Sequence, residues 1–180
     1  RSAQLSLILR AAVFGGAYLA AADLSTLLQI EPGPFRCVWL PAGLYLAVLV
    51  LSPRKEWPAF ILASLVAGLT FDRLQGHSWP TGFALWGANS LQAVIGAVVL
   101  TRCTIGRPTL ATLREVLGLT IAAALGSALI GAVLRVALRN AVSGDPTPGS
   151  TWTNKWASHA LGILAASPAI LAWAPLLERP

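Results

Sequence analysis

Seven residues have side chains or backbone chemistry that could recognise a ligand: Asp23, Trp39, Pro41, Asn89, Gln92, Arg135 and His159. Each lies in or at the edge of a long apolar run. Ionisable groups in such runs are costly, so each needs a compensating role. Asp23 and Arg135 are the natural charge pair. Asn89 and Gln92 offer amide donors and acceptors, and His159 offers an imidazole. Pro41 has no N–H to donate. With Gly43 beside it, the chain there is predicted to kink and to expose backbone to a ligand. Together these groups could bind a small polar molecule. Each also has a plainer role. Asp23 could cap a helix, Arg135 could snorkel to head groups, and His159 and Asn89 could bond neighbouring helices. Catalysis has no comparable support, because no Ser/His/Asp set, HExxH, phosphate loop or carboxylate pair is present. No metal or other cofactor is expected. The two histidines fall on different segments, which argues against a bis-histidine haem.

The elements that must position these groups are apolar helices. Hydrophobic residues make up 56% of the 180 and charged residues 11%, with a mean hydropathy of +0.68. Too few charges are present to clothe a core in water, so the surrounding solvent must be lipid. The expected fold is all-α: a single-domain, polytopic membrane bundle of about six transmembrane helices. The predicted helices are Leu5–Ile30, Phe35–Ser52, Trp57–Phe71, Thr81–Thr101, Leu113–Asn140 and Trp152–Leu177. A loop with Gly144, Asp145, Pro146, Pro148 and Gly149 is expected over Ser143–Thr153. Counting inward from the outer helix ends at about 1.5 Å per residue, all seven residues fall in the outer half of the bilayer. The inner half is almost purely apolar. A polar pocket opening outward is the expectation.

The net charge of +6 belongs to short gaps between apolar runs. There it sets topology and meets anionic lipid, which excludes a nucleic-acid partner. With the N-terminus inside, eight of the 13 Lys and Arg fall on the inner side, so both termini are expected in the cytoplasm. Trp39, Trp79, Trp152 and Trp156 are expected at the outer interface and Trp57 at the inner one. Cys37 and Cys103 then lie at opposite faces, too far apart for a disulfide. Small residues recur at Ala12, Gly16 and Ala20, and at Gly118, Ala122 and Gly126. Both stripes are expected to pack within the bundle.

Trp39-Leu40-Pro41-Ala42-Gly43-Leu44 resembles a segment of the MASE1 family of bacterial membrane sensor domains. Arg54-Lys55-Glu56-Trp57-Pro58 looks like the family's basic turn. Gly87-Ala88-Asn89-Ser90-Leu91-Gln92-Ala93 followed by Arg102 is similar to a later helix. Trp152, Trp156, His159-Ala160-Leu161-Gly162 and Pro168 resemble its last motif. The likeness runs from about Leu5 to Leu177. It departs at Gln92, where the family often has Glu, and at His159, where it often has Asp. The family usually continues through further helices, so this chain looks shortened.

The resemblance implies a non-catalytic input domain in the bacterial inner membrane, joined to a kinase or cyclase output domain. Arg135, Arg139 and Lys155 at the outer end favour an anion over a cation as its ligand. Two other functions are carried alongside. One is an accessory subunit held among other membrane subunits. The other is a solute-binding transport component.

Overall fold

The computed structural model describes residues 2–30, 35–104, 106, 108–143 and 150–177. Its elements are α1 (Ser2–Leu27), α2 (Leu40–Leu51), α3 (Trp57–Leu74), α4 (Trp79–Cys103), α5 (Leu113–Leu117), α6 (Ala128–Ser143) and α7 (Ser150–Leu177). A π-helical stretch, Gly118–Ser127, joins α5 to α6, so the three form one rod. Gln29–Ile30 (β1) pairs antiparallel with Phe35–Arg36 (β2) in a two-residue ladder. Most of the expected loop Ser143–Thr153 lies outside the described residues, and α7 begins three residues before its end.

Among the described residues, five helices are long and apolar enough to cross a membrane, against about six expected. The exception is α2. Its 12 residues extend about 18 Å, short of a hydrocarbon core of about 30 Å. The expected start at Phe35 is wrong because residues up to Trp39 are not helical. Trp39 has φ −106° and ψ 83°. Its N–H donates to the Ser158 carbonyl at 2.9 Å, and the Leu40 N–H donates to Ser25 Oγ at 3.0 Å. Non-helical backbone survives in a membrane protein when protein groups satisfy it in this way. Pro41 therefore sits in the first turn of α2, where a missing N–H costs nothing. It starts the helix and does not kink it.

The helices reverse direction along the chain. Ser25 meets Leu40 and Tyr18 meets Tyr45, so α1 and α2 are antiparallel. Arg10 pairs with Glu56 at 2.6 Å and Phe14 meets Phe60 edge to face, so α1 and α3 are parallel. Trp39 meets Ser158 and Gly43 meets Ser167, so α2 and α7 are parallel. The first turns of α1 and the last turns of α7 consequently lie at the same end.

α2 is the buried centre. Tyr45, Leu46, Ala47 and Leu49 are almost wholly inaccessible. Tyr45 packs with Phe14 and Tyr18 in a cluster of tilted and edge-on rings. On the other side, Gly43 faces the Gly162 backbone of α7, and a Cβ on Gly162 would collide with the Trp39 carbonyl. Ser167 Oγ donates to the Gly43 carbonyl at 2.9 Å. Large apolar side chains such as Leu5, Ile8, Leu62, Val66 and Val133 point outward, as a lipid-facing surface requires.

Two tryptophans expected at the interfacial belts are buried within the bundle. Trp57 is buried, and its indole donates to the Leu49 and Ser52 carbonyls, closing the end of α2. Trp39 is buried against Phe71 and His159. The small-residue stripes also divide. Gly118 abuts Cys103, as expected of internal packing. Ala12, Gly16 and Ala20 are exposed instead, and nothing lies within 4 Å of a Cβ built on Gly16.

The glycine contacts predict a sharp contrast. Gly162→Ala should destabilise the detergent-purified protein by about 1–3 kcal/mol or more, because backbone must move to admit the methyl. Gly16→Ala should not destabilise the protein and should raise its stability by up to about 1 kcal/mol. Thermal unfolding of the two variants side by side checks this.

Candidate functional site

The polar centre of the bundle is built around Arg135 of α6, whose side chain is carried inward between α4 and α7. The residue is 5% exposed. Its Nη2 donates to Asn89 Oδ1, to Gln92 Oε1 at 3.5 Å and to His159 Nδ1 at 3.4 Å. A guanidinium has only donors. His159 therefore accepts through Nδ1, which places the imidazole proton on Nε2. The Nη1 atom is buried and has no hydrogen-bond partner among the described residues.

Local sequence explains the geometry. Asn89 and Gln92 are three apart on α4 and so share a face. Gly131, one turn before Arg135, lies where a Cβ would collide with Gln92 Oε1. The glycine is what lets α6 approach the amide. His159 lies one residue beyond Ser158, whose carbonyl receives the Trp39 N–H. The extended segment before α2 thus lays Trp39 beside the imidazole, with ring centroids 5.9 Å apart.

Tyr18, Trp39, Pro41, Ala42, Tyr45, Asn89, Gln92, Ala93 and His159 line a cavity of about 10 Å³, counted as the space open to a water's centre. That is room for about one water. Of the seven residues singled out from sequence, five line this cavity, and Arg135 bonds three of those five. Asp23 does not join them. It is exposed on α1, and its backbone carbonyl accepts from Thr26. The expected Asp23–Arg135 pair is absent because Asp23 lies beside the buried stripe Phe14, Tyr18, Ala22 and Ser25, not on it.

Sequence reasoning missed the hydroxyl groups. The Tyr18 side chain lines the same cavity as Asn89. Tyr45 Oη contacts Ser90 Oγ at 3.4 Å and receives a hydrogen bond from Ser64 Oγ at 3.0 Å. The Trp86 indole donates to Ser64 Oγ at 3.1 Å. Helical spacing on the buried stripe of α1 was the available signal for Tyr18. Asp72 was missed as well. It sits at the end of α3, where its carboxylate meets His77 Nδ1 at 3.3 Å.

This arrangement can orient and bind. It sets no nucleophile against a base, and His159 Nδ1 is occupied by the guanidinium. Among the described residues, no group of three His, Cys, Asp or Glu side chains could hold a metal ion.

Apolar helices of spanning length around a buried polar centre define a multi-pass helical membrane protein. The family model for MASE1 matches residues 8–180, nearly the whole chain. The chain belongs to the MASE1 family, whose members are membrane-associated sensor domains. No curated protein and no solved structure matches the chain.

The partners of Arg135 should be energetically coupled. Asn89→Ala removes an acceptor from a buried cation and should cost about 1.5–3 kcal/mol. In an Arg135→Met background the same change should cost less, leaving a coupling of about 0.5–3 kcal/mol. A double-mutant cycle by thermal unfolding measures it. Additive costs would mean that the two side chains do not interact.

Proposed function

We propose that this chain is a non-catalytic input domain of a bacterial signalling protein, with the Arg135 cluster as its ligand element. The observation that carries the reading is the buried guanidinium. It joins α4, α6 and α7 through Asn89, Gln92 and His159. A ligand drives signalling only by favouring one of two helix arrangements over another. A group bonded to two other helices is where such a preference would arise.

α7 is the natural transmitter. It carries His159 near one end and, through Gly162 and Ser167, locks onto α2. It then continues to Leu177 at the end where α1 begins. A shift at His159 would move the far end of α7, to which a kinase or cyclase output would attach. In this reading the cavity end faces the periplasm and both termini face the cytoplasm of the inner membrane.

The size of the cavity favours a second reading, an accessory subunit that keeps the fold without sensing. A space for about one water is also what simple packing leaves behind. The same size gives little support to transport of an organic solute, since such sites usually enclose about 300 Å³ or more.

Two experiments test the proposal. A membrane-impermeant maleimide applied to intact cells should label Cys37 and not Cys103, both of which are free and half-buried thiols. The reverse pattern would invert the orientation. In the intact signalling protein, a screen of periplasmic solutes should find a response that Arg135→Ala abolishes and Gly16→Ala retains. A response unchanged in Arg135→Ala would remove the cluster from sensing.

A further inference from the structure

We infer that the π-helical stretch Gly118–Ser127 is a register switch latched by the Trp156 indole. While the indole is seated, α6 aims Arg135 into its cluster. When α7 withdraws the indole, the stretch rewinds as α-helix and α6 turns Arg135 away. The inference rests on the reading of that cluster as the ligand element and names what moves there.

Winding sets the direction in which Arg135 points. The buried positions Gly118, Ala123 and Ser127 are five and four apart. An α-helix repeats every 3.6 residues, so two turns of this stretch take up about two residues more than two α-turns would. That surplus fixes the azimuth of everything beyond it on the rod, Gly131 and Arg135 included. Rewound as α-helix with no residue lost, the stretch would carry α6 around by about half a turn, since each residue of an α-helix advances about 100°. Arg135 would leave Asn89, Gln92 and His159. Its long side chain would then snorkel towards head groups.

Local preference opposes the winding that the structure holds. π-Helices are rare and mostly a single turn long, whereas this one runs for 10 residues. Leu119, Ala122, Ala123, Ala124 and Leu125 are all strong α-helix formers. Contacts from outside the stretch must therefore maintain it. At its far end the Leu125 carbonyl accepts the Ala128 N–H. It also accepts the Trp156 indole of α7 at 3.0 Å. Trp156 lies three residues before His159, on the same face of α7, so a shift of α7 at the cluster is felt at the latch. Gly126 permits the winding as well. A Cβ there would lie 3.4 Å from the Ile121 carbonyl, the acceptor five residues back that π pairing uses. Local preference for α is thus set against a tertiary latch for π, and a ligand can act on an element balanced between two arrangements.

The test reads the exchange of the Arg135 guanidinium protons with water, by nitrogen-15 NMR of the full chain in lipid nanodiscs. Trp156→Phe keeps a ring and removes the donor. Loss of that one hydrogen bond should raise the rewound population, and with it the exchange rate, about three- to tenfold. Gly126→Ala crowds the π pairing and favours α-helix, so it should also quicken exchange. Deletion of Ile121 and Ala122 removes the two surplus residues. Gly118, Ala123 and Ser127 then stand three and four apart, as α-winding requires. Arg135 should stay protected in the deletion variant, and adding Trp156→Phe to it should no longer quicken exchange. An indole that merely packs would not be made dispensable in this way. Unchanged exchange in Trp156→Phe would overturn the inference, as would a quickening that persists in the deletion background. Should the deletion variant fail to fold, Gly126→Ala decides, and exchange at the wild-type rate there overturns the inference. The sensor reading fails separately. Signalling output unaffected by Arg135→Ala removes the sensory role of the cluster and leaves the switch standing. Exchange indifferent to Trp156 and Gly126, with output that still needs Arg135, does the reverse.

Discussion

A guanidinium held inside a lipid-embedded bundle must be solvated by the protein, and the architecture is arranged around that need. Arg135 cannot shed its charge. Asn89 and Gln92 reach it from α4 and His159 from α7. Gly131 clears the space that lets Gln92 approach. The same hydrogen bonds that satisfy the cation fix the relative positions of α4, α6 and α7. Structure and prospective sensing thus share one set of contacts.

The second constraint concerns backbone groups. α2 is too short to span the membrane, and residues up to Trp39 lie outside it. The Trp39 N–H is satisfied by Ser158 and the Leu40 N–H by Ser25, on the last and first helices. The fold is closed by residues more than a hundred positions apart, and Gly43 and Gly162 allow the backbones to meet. This lead-in also brings Trp39 and Pro41 to the cavity. The element least like a regular transmembrane helix is the one that builds the polar centre.

Much of this was legible in the sequence. Helix positions followed from apolar runs and their basic or Pro-containing breaks, because lipid demands both. The common depth of Asn89, Gln92, Arg135 and His159 followed from counting residues along those runs. Depth gives no azimuth, however, and Asp23 faces away from the bundle. The start of α2 was illegible for a different reason. Residues 35–39 are mostly apolar whether helical or extended, and the serines that satisfy the Trp39 and Leu40 amides lie far along the chain. Trp57 looked interfacial because aromatic residues beside basic ones usually are. Its burial depends on carbonyls that only the end of α2 provides. The π-helical stretch Gly118–Ser127 left no periodicity distinct from that of an α-helix.

The central claim is that one arginine is buried and held by side chains at the heart of the bundle. Nitrogen-15 NMR of the arginine side chains, with the protein in lipid nanodiscs, tests it most directly. The account predicts one guanidinium whose protons exchange with water far more slowly than the others, and whose signal disappears in Arg135→Lys. Uniformly fast exchange across all arginines would place Arg135 in contact with water or head groups and contradict it.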